Sequence, residues 1–225
     1  MFLGHLAIGF AAKRAAPRAG LAPLMAAPVL LDLVWPAFVL LGLEEVRIEP
    51  GATAVTPLDF ASYPWSHSLA FAALWAVLFG GGYLARTRYR AGAVVIAAGV
   101  LSHWALDLVV HRPDLPLWPG SARFGLGLWN SVPTTVAVEV ALFAAGVLLY
   151  ASATRTRDRT GTVALWGFVA FVAGIYAANL LGPPPPSARA VAWAGLAQWL
   201  WVPWAALIDR HRALRDGAPF GALAS

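Results

Sequence analysis

Charged side chains in this chain come in bunches, and long apolar tracts separate them. From Gly20 to Leu43 the only ionisable side chain is Asp32, and from Phe60 to Ala85 the only strongly ionisable one is His67. Ala91 to Val110 holds His103 and Asp107, and Phe124 to Thr154 holds Glu139 alone. Thr160 to Ala188 and Ala190 to Ile208 contain no acid, base or histidine. Each tract reaches the roughly 20 residues that a helix needs to cross about 30 Å of hydrocarbon. The pattern predicts an all-α, polytopic transmembrane helical bundle with six spans. Met1 to Ala12 is too short to span and is expected to form an interfacial or re-entrant helix. Pro183 to Pro186 predict a stiff extended connector. No repeat or boundary divides the sequence, so residues 1–225 read as a single integral membrane domain.

Composition points the same way: 60% of the 225 residues are hydrophobic and 12% charged, about half the charged share of a soluble domain. The mean hydropathy is +0.67. A formal net charge of +5 is compatible with a nucleic-acid partner, but the placement of the basic residues argues against one. Twelve of the sixteen fall in four clusters: Lys13, Arg14 and Arg18; Arg86, Arg88 and Arg90; Arg155, Arg157 and Arg159; Arg210, Arg212 and Arg215. Two tracts separate each cluster from the next, so all four are expected on one side, and the positive-inside rule makes that side the cytoplasm. The intervening loops are neutral to acidic and should face outward. The reading is a multi-pass protein of a bacterial-type inner membrane, with its C-terminus cytoplasmic. Membrane lipids are then its surroundings. The absence of cysteine excludes disulfides and thiolate metal sites.

Ionisable groups within hydrocarbon are costly and mark sites. At 1.5 Å of rise per residue, Asp32, His103, Asp107, Glu139 and His67 fall about 16 to 24 Å above the cytoplasmic edge, a slab between midplane and outer face. His5 joins them if its segment dips inward. His103 and Asp107, at i and i+4, share a helix face. With Asp32, His67 and His5 they make a mixed imidazole and carboxylate set suited to zinc or another divalent transition metal. Such an ion makes a nucleophile of its bound water. Glu139, beside that water, is the candidate general base. His111, one turn beyond Asp107, faces the same way and is expected to support the site or touch substrate. His211 lies among arginines and is expected to be solvated. Blander readings stand beside these. The His103–Asp107 pair could bond only to itself or a neighbour, Asp32 could be interhelical glue or a cation site, and His5 and His67 could be solvated near an interface.

The motifs around these residues resemble the LexA-regulated type of inner-membrane metal-dependent hydrolase. That family shows an early His-x-x-x-Gly, an Asp after the first hydrophobic run, a Thr-His-Ser or similar, and a later His-x-x-x-Asp. Here these are His5 to Gly9, Asp32 within Leu30-Leu31-Asp32-Leu33, Ser66-His67-Ser68 after Tyr63-Pro64-Trp65, and Ser102-His103 through Asp107. The likeness covers roughly the first half of the chain. Two features depart from it. Leu31-Asp32-Leu33-Val34 stands where the family often has Pro-Asp-x-Asp, and Tyr63-Pro64-Trp65 stands where an Arg usually precedes the second His. The resemblance implies metal-dependent hydrolysis, with a distant likeness to zinc-dependent phospholipases C and related nucleases.

Three functions follow. The first is a membrane-embedded metal-dependent hydrolase that cuts a phosphoester or other lipid-linked bond with a metal-bound hydroxide. The second is a proton- or cation-coupled transporter using the same Asp, His and Glu as a relay. The third is a scaffold whose polar groups only join helices, an expensive use of six ionisable groups given the small worth of each interhelical hydrogen bond.

Overall fold

The computed structural model describes residues 1–215. The C-terminus, expected on the cytoplasmic side, lies outside them. In chain order, α1 (Phe2–Ala15), α2 (Leu21–Ala26) and α3 (Leu30–Leu40) lead into a hairpin of β1 (Glu45–Ile48) and β2 (Leu58–Ser62). A single turn, α4 (Pro64–His67), precedes α5 (Leu69–Thr87) and α6 (Arg90–Val110). Two short paired strands, β3 (Leu115–Pro116) and β4 (Arg123–Phe124), lead to α7 (Val132–Ala153) and β5 (Thr154–Thr156). Then come α8 (Arg159–Leu181), α9 (Ala188–Ala197), α10 (Trp201–Arg210) and β6 (Arg212–Leu214), which pairs with β5. Among the described residues, five helical segments are long and apolar enough to cross a membrane: α5, α6, α7, α8, and the run Ala188–Arg210 that α9 and α10 form together.

The first apolar tract does not add a sixth long helix to these five. It is two short helices, not one. Pro28 has no N–H to extend α2, and Val29 leaves helical geometry at φ −108°, ψ 6° before α3 begins. The broken tract nonetheless carries the chain from one end of the bundle to the other. Ala19, just before it, accepts from Lys13 Nζ at 2.8 Å, while Glu44, just after it, accepts from the amides of Trp65 and Ser66 ahead of α5.

The four basic clusters gather at one end. Lys13 Nζ meets Asp209 Oδ1 at 2.8 Å, and the Arg18 guanidinium lies 4.6 Å above the Tyr89 ring. Strand pairing joins Thr154–Thr156 to Arg212–Leu214. At the same end His211 is not simply solvated: its Nδ1 sits 2.7 Å from Asp158 Oδ2, and this bond holds the Asp158 carboxyl below its usual range. The opposite end carries both hairpins, tied by Arg112 to Asp59 and by Arg123 to the Ala61 carbonyl.

The N-terminal helix is buried within the bundle. Leu3, Leu6 and Phe10 of α1 pack into a core with Phe143 and Tyr150 of α7 and Phe168 of α8. Small residues allow the backbones this close, as is common between membrane helices. A Cβ on Gly146 of α7 would stand 2.4 Å from the Ala7 carbonyl oxygen. Lys13 is 6% exposed and anchors the far end of α1. Lys13→Met is therefore expected to lower stability by about 1.5–3 kcal/mol, the worth of a hydrogen bond to a charged group, read as a lower Tm in detergent. Glu45→Ala, which removes an exposed pair with Arg47, should leave the Tm unchanged.

Candidate metal centre

The break in the first tract builds the site. Asp32 stands in the first turn of α3, immediately after it, and the Pro28 carbonyl within it accepts from His103 Nδ1 at 2.8 Å. The α6 helix passes close because residue 99 is glycine: a Cβ there would lie 3.1 Å from Ala27 Cβ. His67 ends α4, and the next residue, Ser68, caps α5 through the Phe71 amide. His103 and Asp107 project from successive turns of α6.

Four ligand atoms from these elements form a ring. His67 Nε2 is 3.5 Å from Asp32 Oδ1 and 4.0 Å from Asp107 Oδ2. His103 Nε2 is 3.8 Å from Asp32 Oδ1 and 3.0 Å from Asp107 Oδ2. Ligands about 2.1 Å from a tetrahedral zinc ion lie about 3.4 Å apart, and these four spacings bracket that value. His103, Asp107 and His67 are buried, whereas the Asp32 side chain is 33% exposed and forms the open side.

The imidazoles are turned for ligation. With Nδ1–H given to Pro28, His103 Nε2 faces Asp107 Oδ2 at 3.0 Å, and in the neutral ring it presents a lone pair there. A lone pair facing a carboxylate oxygen is repulsive unless a proton or a metal ion lies between them. His67 Nδ1 is held by Ser66 Oγ at 2.7 Å. His111 Nδ1 is held by Asp114 Oδ1 at 2.9 Å, and its Nε2 faces Asp107 Oδ2 from 3.9 Å. Fixing one ring nitrogen to an acceptor is how proteins orient metal-binding histidines. Tyr63 donates to Asp114 at 2.8 Å, and burial beside that carboxylate drives the phenol well above its usual pKa. Burial likewise pushes the Glu44 carboxyl up, against the pull of its bonds to Ser66.

His5 and Glu139 occupy different positions from the ring. The His5 ring stacks on His103 at 3.8 Å, and its Nε2 meets the other oxygen of the carboxylate, Asp107 Oδ1, at 3.0 Å. The Met1 amine also donates to Oδ1. His5, His103 and Asp107 make one group of ligand atoms that could hold a metal ion, and Asp32, His67 and His103 make another. Glu139 Oε2 accepts from the Leu3 amide at 2.6 Å, where the N-terminus of α1 has amides without intrahelical partners. Its contacts are those of a cap for α1.

Sequence reasoning missed the outer holders: Ser66, Glu44, Asp114, Tyr63 and the Pro28 carbonyl. Ser66 and Asp114 could have been found from their places beside His67 and three residues after His111. A backbone carbonyl leaves no signal in sequence.

A family model described as YdjM inner membrane protein matches residues 57–182, more than half of the chain. The chain belongs to the YdjM inner membrane protein family. The matched stretch contains His67, His103, Asp107, His111 and Glu139, and Asp32 and His5 lie ahead of it. Family and apolar helices together make this a multi-pass inner-membrane protein. No curated protein and no solved structure matches the chain.

Proposed function

We propose that this chain is a membrane-embedded metal-dependent hydrolase acting on a phosphoester or other lipid-linked bond. One observation carries the reading: Nε2 of His103 and of His67, each with its Nδ1 bonded elsewhere, lies among the oxygens of Asp32 and Asp107. Those four side chains would hold the ion. The mixed nitrogen and oxygen set suits zinc. A divalent ion held there supplies Lewis acidity and brings the pKa of water toward about 7. His5 supports the site by stacking on His103 and bonding Asp107, and Glu139 positions His5 by capping α1. The bond to the Leu3 amide favours that role over the general base expected of Glu139.

The basic end is assigned to the cytoplasm by the positive-inside rule. Asp107 lies one turn from the opposite end of α6, so substrate would come from the outer leaflet or the periplasmic side, past Asp32. The transporter reading draws less support. A relay imidazole exchanges protons at both nitrogens, whereas His67, His103 and His111 each have Nδ1 tied to a fixed acceptor.

The test is hydrolysis of a chromogenic phosphodiester and of phospholipid in mixed micelles. Zinc-loaded wild type is expected to turn over, and chelation, Asp32→Asn or His67→Ala should each cost at least about 100-fold, the rate equivalent of several kcal/mol of Lewis-acid stabilisation. Turnover that survives chelation and both substitutions contradicts the proposal.

A further inference from the structure

We infer that Glu44 and Ser66 are positioning residues that set the tautomer of His67, and with it the affinity of the site for metal. The inference rests on the metal-binding reading above and adds a control that neither residue's own chemistry suggests. Glu44 follows α3 in an outer loop and is 4% exposed, and Ser66 is fully buried. Neither touches the ring of ligand atoms.

The hydrogen bonds between them have a forced direction. Glu44 Oε1 accepts from the amides of Trp65 and Ser66, both at 2.8 Å. Glu44 Oε2 accepts from Ser66 Oγ at 2.6 Å. A hydroxyl has one proton. Having given it to Glu44, Ser66 Oγ can meet His67 Nδ1, 2.7 Å away, only as an acceptor. Nδ1 therefore keeps a ring proton, and in the neutral imidazole Nε2 turns its lone pair toward Asp32 and Asp107. The carboxylate in the loop thus decides which nitrogen of His67 is free. Because Glu44 closes the loop that leaves α3, it also ties the helix bearing Asp32 to the turn bearing His67.

Glu44→Gln separates this role from simple packing. Two backbone amides would keep the glutamine oxygen at the Oε1 position, leaving its NH2 facing Ser66. The hydroxyl would then accept from residue 44 and donate to His67 Nδ1. The ring proton would move to Nε2, the nitrogen that should bind the ion. The side chain keeps its size and its bonds to the loop, but the polarity of the connection reverses.

The experiment is a competition titration of full-length, metal-free protein in detergent with Zn2+ alone, followed by visible spectra with Co2+ alone. Wild type is expected to bind one ion. Glu44→Gln and Ser66→Ala should bind about 10- to 100-fold more weakly, as for losses of outer-shell partners elsewhere, with altered Co2+ bands. Ser66→Thr keeps the hydroxyl and should restore both affinity and spectrum. Thermal unfolding of the metal-free proteins reports folding. If Glu44→Gln unfolds, the comparison of Ser66→Ala with Ser66→Thr decides. Wild-type affinity and spectrum in Glu44→Gln and Ser66→Ala, with weakened binding in His67→Ala, overturns this inference and leaves the metal site standing. Absence of a stoichiometric ion in wild type overturns both.

Discussion

Asp107→Asn is expected to abolish stoichiometric metal binding. All four histidines of the cluster face Asp107. Its Oδ2 faces His103, His111 and His67 at 3.0, 3.9 and 4.0 Å, and its Oδ1 faces His5 at 3.0 Å. Asparagine keeps the shape but removes the charge that balances a dication, and it places an NH2 where lone pairs now gather. The loss should exceed the about 10- to 100-fold that outer-shell changes produce. His103→Ala should act similarly, because His103 belongs to both groups of ligand atoms. Elemental analysis after dialysis, with competition titration, measures both. Undiminished metal in either variant contradicts the assignment.

Gly146→Ala is expected to undo the docking of α1. The added Cβ would lie 2.4 Å from the Ala7 carbonyl oxygen and 2.7 Å from Ala7 Cα, and backbone atoms cannot swing aside as a flexible side chain can. The helices must separate. That movement would pull His5 off its stack on His103 and stretch the Leu3 amide bond to Glu139. Overpacking costs typically about 1–3 kcal/mol, and the shift should appear as a lower Tm and as weaker metal binding together. Gly174→Ala in α8 is the control, since nothing lies within 4 Å of a Cβ there. It should be neutral or slightly stabilising, as alanine favours helix over glycine. Equal stability of Gly146→Ala and wild type contradicts the account of how α1 is seated.

Much of the architecture was legible because hydrocarbon allows few solutions. An apolar run of 20 residues without partners for its backbone has to be helical, and five segments are. Depth was legible too, since helical rise fixes how far a residue lies along a span. The direction a side chain faces was not. Depth put Glu139 level with the histidines, but its carboxylate turns to the amides of α1. Hydropathy could not locate the break at Pro28, because a tract of two short helices has the same composition as one long helix. That break supplies both the Asp32 carboxylate and the carbonyl that orients His103.

Charge counting left the burial of two loop acids unseen. Glu44 and Asp114 are loop acids, yet they are 4% and 6% exposed and hold Ser66 and His111. A loop acid that folds back beneath the surface has no distinguishing pattern in one sequence. The adjacency of Ser66 to His67 was visible, whereas its connection to Glu44, 22 residues earlier, needed coordinates.

The central claim is that Asp32, His67, His103 and Asp107 share one ion. X-ray absorption at the zinc edge of the purified, zinc-loaded protein tests it most directly. The account predicts a nitrogen and oxygen shell at about 2.0–2.2 Å with the outer-shell scattering of two imidazoles. An all-oxygen shell without imidazole scattering would contradict it.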